Sequence, residues 1–343
     1  MKTALFDASV PTSREEGINE AIRLLSSGEI AGLPTETVYG LAADARCVSA
    51  VRKIFEAKGR PQDNPLIVHI SDMDMLRDAA SEIPEKALAL AEKYWPGPLT
   101  MIFKKTDAIP DETSGGLDTV AVRMPSHPVI REIISRSRIP VAAPSANLSG
   151  SPSPTTAAHV MQDFEGRIPL IIDGGECDCG VESTVLSLVG DTPRLLRPGF
   201  VTAEEIEDTI GEIIIDSAVT KGLEKGQAAL SPGMKYKHYS PKAKVLLIKA
   251  SREDFEKWIT DNAREGDVAL CFEGERVAVP SVSFGAADDP AAHARLLFGA
   301  LRDADGMGAS RMIVHCPGEK GIDLAVYNRL LRAAAFDVTD LSK

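Results

Sequence analysis

The chain has 343 residues, room for two domains, and its 44% hydrophobic and 26% charged content is that of a globular protein in water. A formal net charge of -12 gives little long-range attraction for nucleic acid or an anionic membrane, so any phosphate ligand must be held by a local cluster of Lys and Arg. No apolar run approaches membrane-spanning length, residues 1–7 lack the apolar core of a signal peptide, and the scattered Cys47, Cys177, Cys179, Cys271 and Cys316 fit reduced thiols in a cytoplasmic protein.

In chain order, residues 14–27 read as an amphipathic helix, with Ile18, Ala21, Ile22, Leu24 and Leu25 at helical spacing. A strand over 30–33 leads into Pro34-Thr35-Glu36-Thr37-Val38-Tyr39-Gly40, and a helix over 48–57 shows Val51, Ile54 and Phe55 on its apolar face. The stretch Lys58-Gly59-Arg60-Pro61-Gln62-Asp63-Asn64-Pro65 has two cations around a glycine and two prolines framing a polar turn. Proline fixes φ and disfavours helix before it, which predicts a stiff loop projecting Lys58 and Arg60 and running into an edge strand over 66–70. The competing reading is a helix C-cap at Gly59, with the cations complementing the helix dipole. A helix over 84–94, strands over 99–103 and 119–124, a helix over 127–137 and a strand over 141–143 follow. A helix starting at Pro154, strands over 170–172 and 184–189, and a helix over 203–210 close this part. After the polar stretch near 221–241, strands over 245–248, 268–272, 282–284 and 311–315 alternate with helices over 252–263, 290–302 and 322–335.

This pattern predicts an α/β protein: a twisted mixed sheet with flanking helices and a ligand cavity, then a small Rossmann-like α/β domain without a Gly-rich fingerprint. The expected divisions are a catalytic domain over 1–215, a linker over 216–243 and a C-terminal domain over 244–343.

Four stretches combine hydroxyl, amide or cationic groups with little bulk: 34–40, 58–69, Val122-Arg123-Met124-Pro125 and Pro144-Ser145-Ala146-Asn147-Leu148-Ser149-Gly150. Glu182-Ser183-Thr184 and Leu196-Arg197-Pro198-Gly199 share that character more weakly. Ligand sites in open α/β sheets gather at strand ends, and Lys58, Arg60, Arg123 and Arg197 together suit a triphosphate plus a carboxylate. Each also has a plainer reading: surface ion pairs for Arg123 and Arg197, turn hydroxyls for Thr37 and Ser183, core side chains for Tyr39, Trp95 and His69. Cys177-Asp178-Cys179 has no second cysteine pair near it in sequence, so no tightly bound metal is expected. Walker A, Gly-x-Ser-x-Gly and His-Glu-x-x-His patterns are absent, so ATP would bind without a P-loop and covalent catalysis is not indicated.

Stretches 33–41, Lys58-Gly59-Arg60-Pro61, Asn64-Pro65-Leu66, Trp95-Pro96-Gly97-Pro98-Leu99-Thr100, Val122-Arg123-Met124-Pro125 and Pro144-Ser145-Ala146-Asn147 resemble the YrdC-like family. The segment Ser231-Pro232-Gly233-Met234-Lys235-Tyr236 and the tail are similar to its long, two-domain form. The resemblance implies synthesis of threonylcarbamoyl-AMP from L-threonine, bicarbonate and ATP with release of pyrophosphate. Magnesium would arrive with the ATP, and other proteins would transfer the threonylcarbamoyl group to an adenosine beside a tRNA anticodon. By matched position, Thr37, His69, Arg123, Ala143 through its backbone, and Ser183 would hold threonine. Arg60, Asn64, Thr119, Ser145, Ser153 and Arg197 would hold the nucleotide, with Lys58 and Asn147 close by; Lys58, Arg60 and Arg123 are the catalytic candidates. Tyr236 and His238 compete as linker contacts to the nucleotide, Tyr236 being favoured, and the linker is expected to lie over the active site. The charge leaves at most weak tRNA binding. Other classes consistent with the residues are an RNA-binding module, a hydrogenase-maturation carbamoyltransferase and an ATP sensor.

Overall fold

A computed structural model describes residues 2–221 and 239–341; the expected nucleotide contacts Tyr236 and His238, with the rest of residues 222–238 of the expected linker, lie outside the described residues. The chain divides into two compact units, one before the undescribed stretch and one after it, with Gly150–Pro152 grouped with the second.

In the first unit, helices and strands alternate as the apolar periodicity requires. The strands are β1 (Ala4–Asp7), β2 (Ala31–Leu33), β3 (Gly40–Asp44), β4 (Ile67–His69), β5 (Leu99–Lys104), β6 (Thr119–Arg123), β7 (Val141–Ala142), β8 (Leu170–Asp173), β9 (Thr184–Ser187), β10 (Arg194–Arg197) and β11 (Ile214–Ile215). They join into one mixed sheet in the order β1-β8-β2-β3-β7-β4-β6-β5-β9-β10-β11. The helices that matter most for the site are α1 (Pro11–Ser26), α2 (Val48–Lys58) and α3 (Pro128–Ser137).

Side chains alternate between the two faces of a strand, and here the two faces have different tasks. Val68, Val120, Val122, Met101, Phe103 and Leu186 join the main core with Ile18 and Leu25 of α1, Ile54 and Phe55 of α2, and Ile133 and Ile134 of α3. Their strand neighbours Ile67, Ile102, Ala121 and Val185, with Leu196 and Ala218, form a separate small buried cluster. His69, Arg123, Thr100 and Thr119 share the parity of that second face.

Some local expectations are corrected. β4 is interior, paired with β7 and β6, and not an edge strand; the unbroken apolar run Leu66-Ile67-Val68 is what a strand buried on both faces requires. The helix expected from Pro154 begins at Ala157, because the Thr156 hydroxyl accepts from His159 N and caps it there. β1, β3 and β10 escaped the sequence reading: each has five residues or fewer, too short for a clear period, and among the described residues β1 is held only by β8, far away in the chain.

The second unit has an all-parallel sheet. Its strands are β12 (Lys244–Lys249), β13 (Asp267–Cys271), β14 (Ser281–Ser283), β15 (Arg311–His315) and β16 (Val338–Asp340), in the order β14-β13-β15-β12-β16. The intervening helices are α4 (Arg252–Asn262), α5 (Pro290–Gly306) and α6 (Gly321–Ala333). Parallel strands need crossovers, and helices supply most of them, as expected of a Rossmann-like domain.

Candidate active site

Arg123 ends β6 on the second face of the sheet, 3% exposed. Its Nε donates to Gly97 O at 3.2 Å and its Nη1 to Thr37 Oγ1 at 2.8 Å, and Nη2 lies 2.7 Å from Glu36 Oε1. Glu36 and Thr37 belong to the β2–β3 loop, which braces itself: Thr35 Oγ1 donates to Val38 O at 2.6 Å and lies 2.9 Å from Thr37 Oγ1. Tyr39 anchors the loop, its hydroxyl donating to Gly175 O at 2.7 Å and accepting from Gly174 N. Tyr39 and Trp95 are therefore core side chains, Trp95 Nε1 donating to Leu99 O at 2.6 Å.

His69 stands beside Arg123 in the parallel β4–β6 register. Burial first, and the Arg123 charge second, push its pKa down to about 3, so the ring is neutral. Its Nδ1 is buried with no hydrogen-bond partner among the described residues. Ser183 lies just before β9, its hydroxyl 2.7 Å from Thr100 Oγ1 and 3.2 Å from Arg197 Nη2, while Arg197 Nε donates to Ser183 O. Gly199 lets these chains approach: a Cβ there would sit 2.3 Å from Thr184 N. Ala143 gives its N–H to Ile67 O at 3.1 Å, which ties the end of β7 to the start of β4.

A second group gathers where β4 and β6 begin. Lys58 closes α2, and Gly59 at φ 63 is the left-handed C-cap. Lys58 does not project from a loop, as expected from the sequence; it is buried, its Nζ donating to Ser145 O at 2.5 Å and Asn147 O at 2.6 Å. Burial, then the Arg60 charge, lower its pKa well below the ordinary lysine value. Ser145 Oγ donates to Asn147 Oδ1 at 2.6 Å, and Arg60 Nη2 to Pro65 O at 3.1 Å. Asn64 is fully buried, and neither amide atom has a partner among the described residues. Ser153 Oγ donates to Glu182 Oε1 at 2.5 Å, both residues being buried. Thr119 opens β6, half-buried, four residues before Arg123 or about 13 Å along the strand.

The structure thus resolves the site candidates into two groups on one sheet. Thr37, His69 and Arg123 meet, with Ser183 and Arg197 linked to each other; Lys58, Arg60, Asn64, Ser145 and Asn147 meet at the other end. Asn64 and the His69 Nδ1 are polar groups whose burial costs about 1–3 kcal/mol each unless a ligand completes them. The sequence reading gave no role to Glu36, Thr100 or Glu182. The signal for Glu36 was there, since a buried arginine needs a counter-charge and an acid adjoins Thr37. The Cys177 and Cys179 thiols are pushed up by burial, Cys179 to about 12, which makes them poor nucleophiles. Among the described residues no three His, Cys, Asp or Glu side chains gather as a metal site, and no helix is long and apolar enough to cross a membrane.

A family model described as Telomere recombination (Sua5/YciO/YrdC) matches residues 23–199, and one described as Threonylcarbamoyl-AMP synthase, C-terminal domain, matches residues 201–335. The chain is 46% identical over 329 residues to the threonylcarbamoyl-AMP synthase of Pyrococcus abyssi, across 94% of this chain and 95% of that protein. It is 44% identical to the Bacillus subtilis threonylcarbamoyl-AMP synthase, with 94% of each covered. The crystal structure of P. abyssi Sua5 complexed with L-threonine aligns with a TM-score of 0.93 and 44% identity, over 99% of this chain and 100% of that one. E. coli YciO, 24% identical with a TM-score of 0.51 over 57% of this chain and 96% of its own, shares the fold.

Proposed function

The chain belongs to the Sua5/YciO/YrdC family in its two-domain, threonylcarbamoyl-AMP synthase form, and from that premise we propose that its first unit joins L-threonine, bicarbonate and ATP into L-threonylcarbamoyladenylate, releasing pyrophosphate. The observation that carries this reading is the buried Arg123 guanidinium, flanked by the Thr37 hydroxyl and a neutral His69. A protein 44% identical throughout is described in complex with L-threonine.

Threonine's amine and bicarbonate yield an N-carboxylate with loss of water. A carboxylate oxygen then attacks the α-phosphorus of ATP, and the bond to pyrophosphate breaks. Such a displacement needs alignment and charge neutralisation more than a protein nucleophile. Arg123 would receive the threonine carboxylate, Thr37, His69 and Ser183 its polar groups, and the Ala143 carbonyl its amine. Arg60, Asn64, Thr119, Ser145, Asn147, Ser153 and Arg197 would hold the nucleotide, the Asn64 amide gaining the partners it lacks. Lys58 would act from below, its Nζ holding the two carbonyls that shape the Ser145–Asn147 turn. The run of about 13 Å along β6 from Thr119 to Arg123 leaves room for an amino acid beside a nucleotide. Magnesium enters this reading as part of the ATP substrate.

The product is a mixed anhydride, so other proteins must take its threonylcarbamoyl group before water does; the anticodon-adjacent adenosine of tRNA is the acceptor in this reading. The test is pyrophosphate release from ATP, with and without L-threonine and bicarbonate, and mass detection of the adenylate. Release that ignores both co-substrates would refute the reading.

A further inference from the structure

Glu36 has no place among the residues assigned to threonine or nucleotide, yet its side chain is 4% exposed and its Oε1 lies 2.7 Å from Arg123 Nη2. Its backbone carbonyl accepts from Cys179 N at 2.8 Å, so the loop is pinned at this residue. Burial is the largest influence and works to raise the Glu36 carboxyl, but the Arg123 charge and contact, together with nearby backbone N–H groups, outweigh it and hold its pKa below the ordinary carboxylate value.

We propose that Glu36 is the positioning residue of Arg123: its carboxylate fixes the plane of the guanidinium so that the remaining N–H groups meet the threonine carboxylate. The inference rests on the reading of Arg123 as the threonine-carboxylate site. Two hydrogen bonds hold the guanidinium, Gly97 O at Nε and Thr37 Oγ1 at Nη1, and the Glu36 carboxylate lies 2.7 Å from Nη2 as an ion pair without hydrogen-bond geometry. A guanidinium carries five N–H groups. Gly97 and Thr37 take two, which leaves N–H groups on both terminal nitrogens for a two-point fork. Without Glu36 the Nη2 end loses its fixed neighbour, and a long side chain regains rotamers that do not face the ligand. The pairing also cancels the Arg123 charge locally. A neutralised arginine next to a neutral His69 suits a zwitterionic amino acid better than a polyanion, which keeps triphosphate out of the threonine position.

The experiment compares Glu36→Gln and Glu36→Asp with the full-length protein, after threonine-dependent pyrophosphate release by the unaltered chain has been recorded. Absence of that release removes the functional reading, and the proposal with it. Glu36→Gln is expected to raise the threonine KM tenfold or more, while kcat and the ATP KM stay within about threefold. Glu36→Asp, which keeps the charge, should recover most of the loss. In the same variants, L-threoninol, which lacks the carboxylate, should inhibit as it does the unaltered protein, so the preference for threonine over the amino alcohol shrinks. An unchanged threonine KM in Glu36→Gln, or a parallel loss of threonine and ATP affinity in both variants, overturns the proposal. If Glu36→Gln does not fold, Glu36→Ala, which also removes the charge, decides: a threonine KM equal to that of the unaltered protein overturns the proposal.

Discussion

Replacing Arg123 with alanine removes the centre of the threonine group. A carboxylate received by two charge-assisted bonds loses about 1.5–3 kcal/mol for each. The sum of about 3–6 kcal/mol corresponds to a hundredfold to ten-thousandfold fall in kcat/KM for threonine. The truncation also strands Glu36, whose side chain is 4% exposed. Breaking a buried pair from one side costs about 3–5 kcal/mol of stability, and the stranded carboxyl would rise in pKa until it took up a proton. A companion variant separates the two effects: Arg123→Met with Glu36→Gln removes both charges at similar volume. It should regain most of the lost stability in a thermal melt and none of the lost activity. The assay is pyrophosphate release against threonine at saturating ATP, with each variant's melting temperature. A kcat/KM within about threefold of the unaltered protein in either variant, or activity returning with stability in the double one, would refute the reasoning.

Lys58→Met and Arg60→Ala should each raise the ATP KM more than the threonine KM, because both cations belong to the group at the start of β4 and β6; equal effects on the two substrates would contradict that placement. Asn64→Leu replaces a fully buried amide that lacks partners, so the melting temperature should hold or rise while the ATP KM climbs at least about tenfold; a fall in stability with normal ATP use would mark the amide as structural. In the second unit, the buried His293 ring faces Asp323 at 2.8 Å and Ala286 O at 2.7 Å, two acceptors that only an imidazolium fully satisfies. Burial works to lower its pKa, the Asp323 bond and the Ala286 carbonyl outweigh it, and the folded value is raised. Its stabilisation is then complete below the unfolded value and lost as pH rises through the folded one, so His293→Gln should cost more in melting temperature near about pH 5.5 than near about pH 8. An equal cost at both would remove the ion pair from the account.

The sequence by itself determined what depends on neighbours along the chain. The helical spacing of Val51, Ile54 and Phe55, the αL glycine at Gly59 and the alternating elements after residue 240 are local signals, and the elements formed where they point. The polar motifs on short loops named Thr37, Asn64, Arg123 and Ser145 as ligand candidates, and the family resemblance gave them roles. Tertiary structure alone decided what depends on strand order. β3, Gly40-Leu41-Ala42-Ala43-Asp44, has little intrinsic strand preference and exists because β2 and β7 pair with it. The register of β4 and β6 sets His69 beside Arg123 and places both on the face opposite the main core, which no window of sequence contains. Lys58 and Glu36 show the same division. Each is a charged residue in a recognisable motif, but its partner, a carbonyl 87 or 89 residues away or a guanidinium on β6, is chosen by which strands lie together. A buried charge is governed by what stands within a few ångströms of it, and in a mixed sheet those neighbours come from distant parts of the chain.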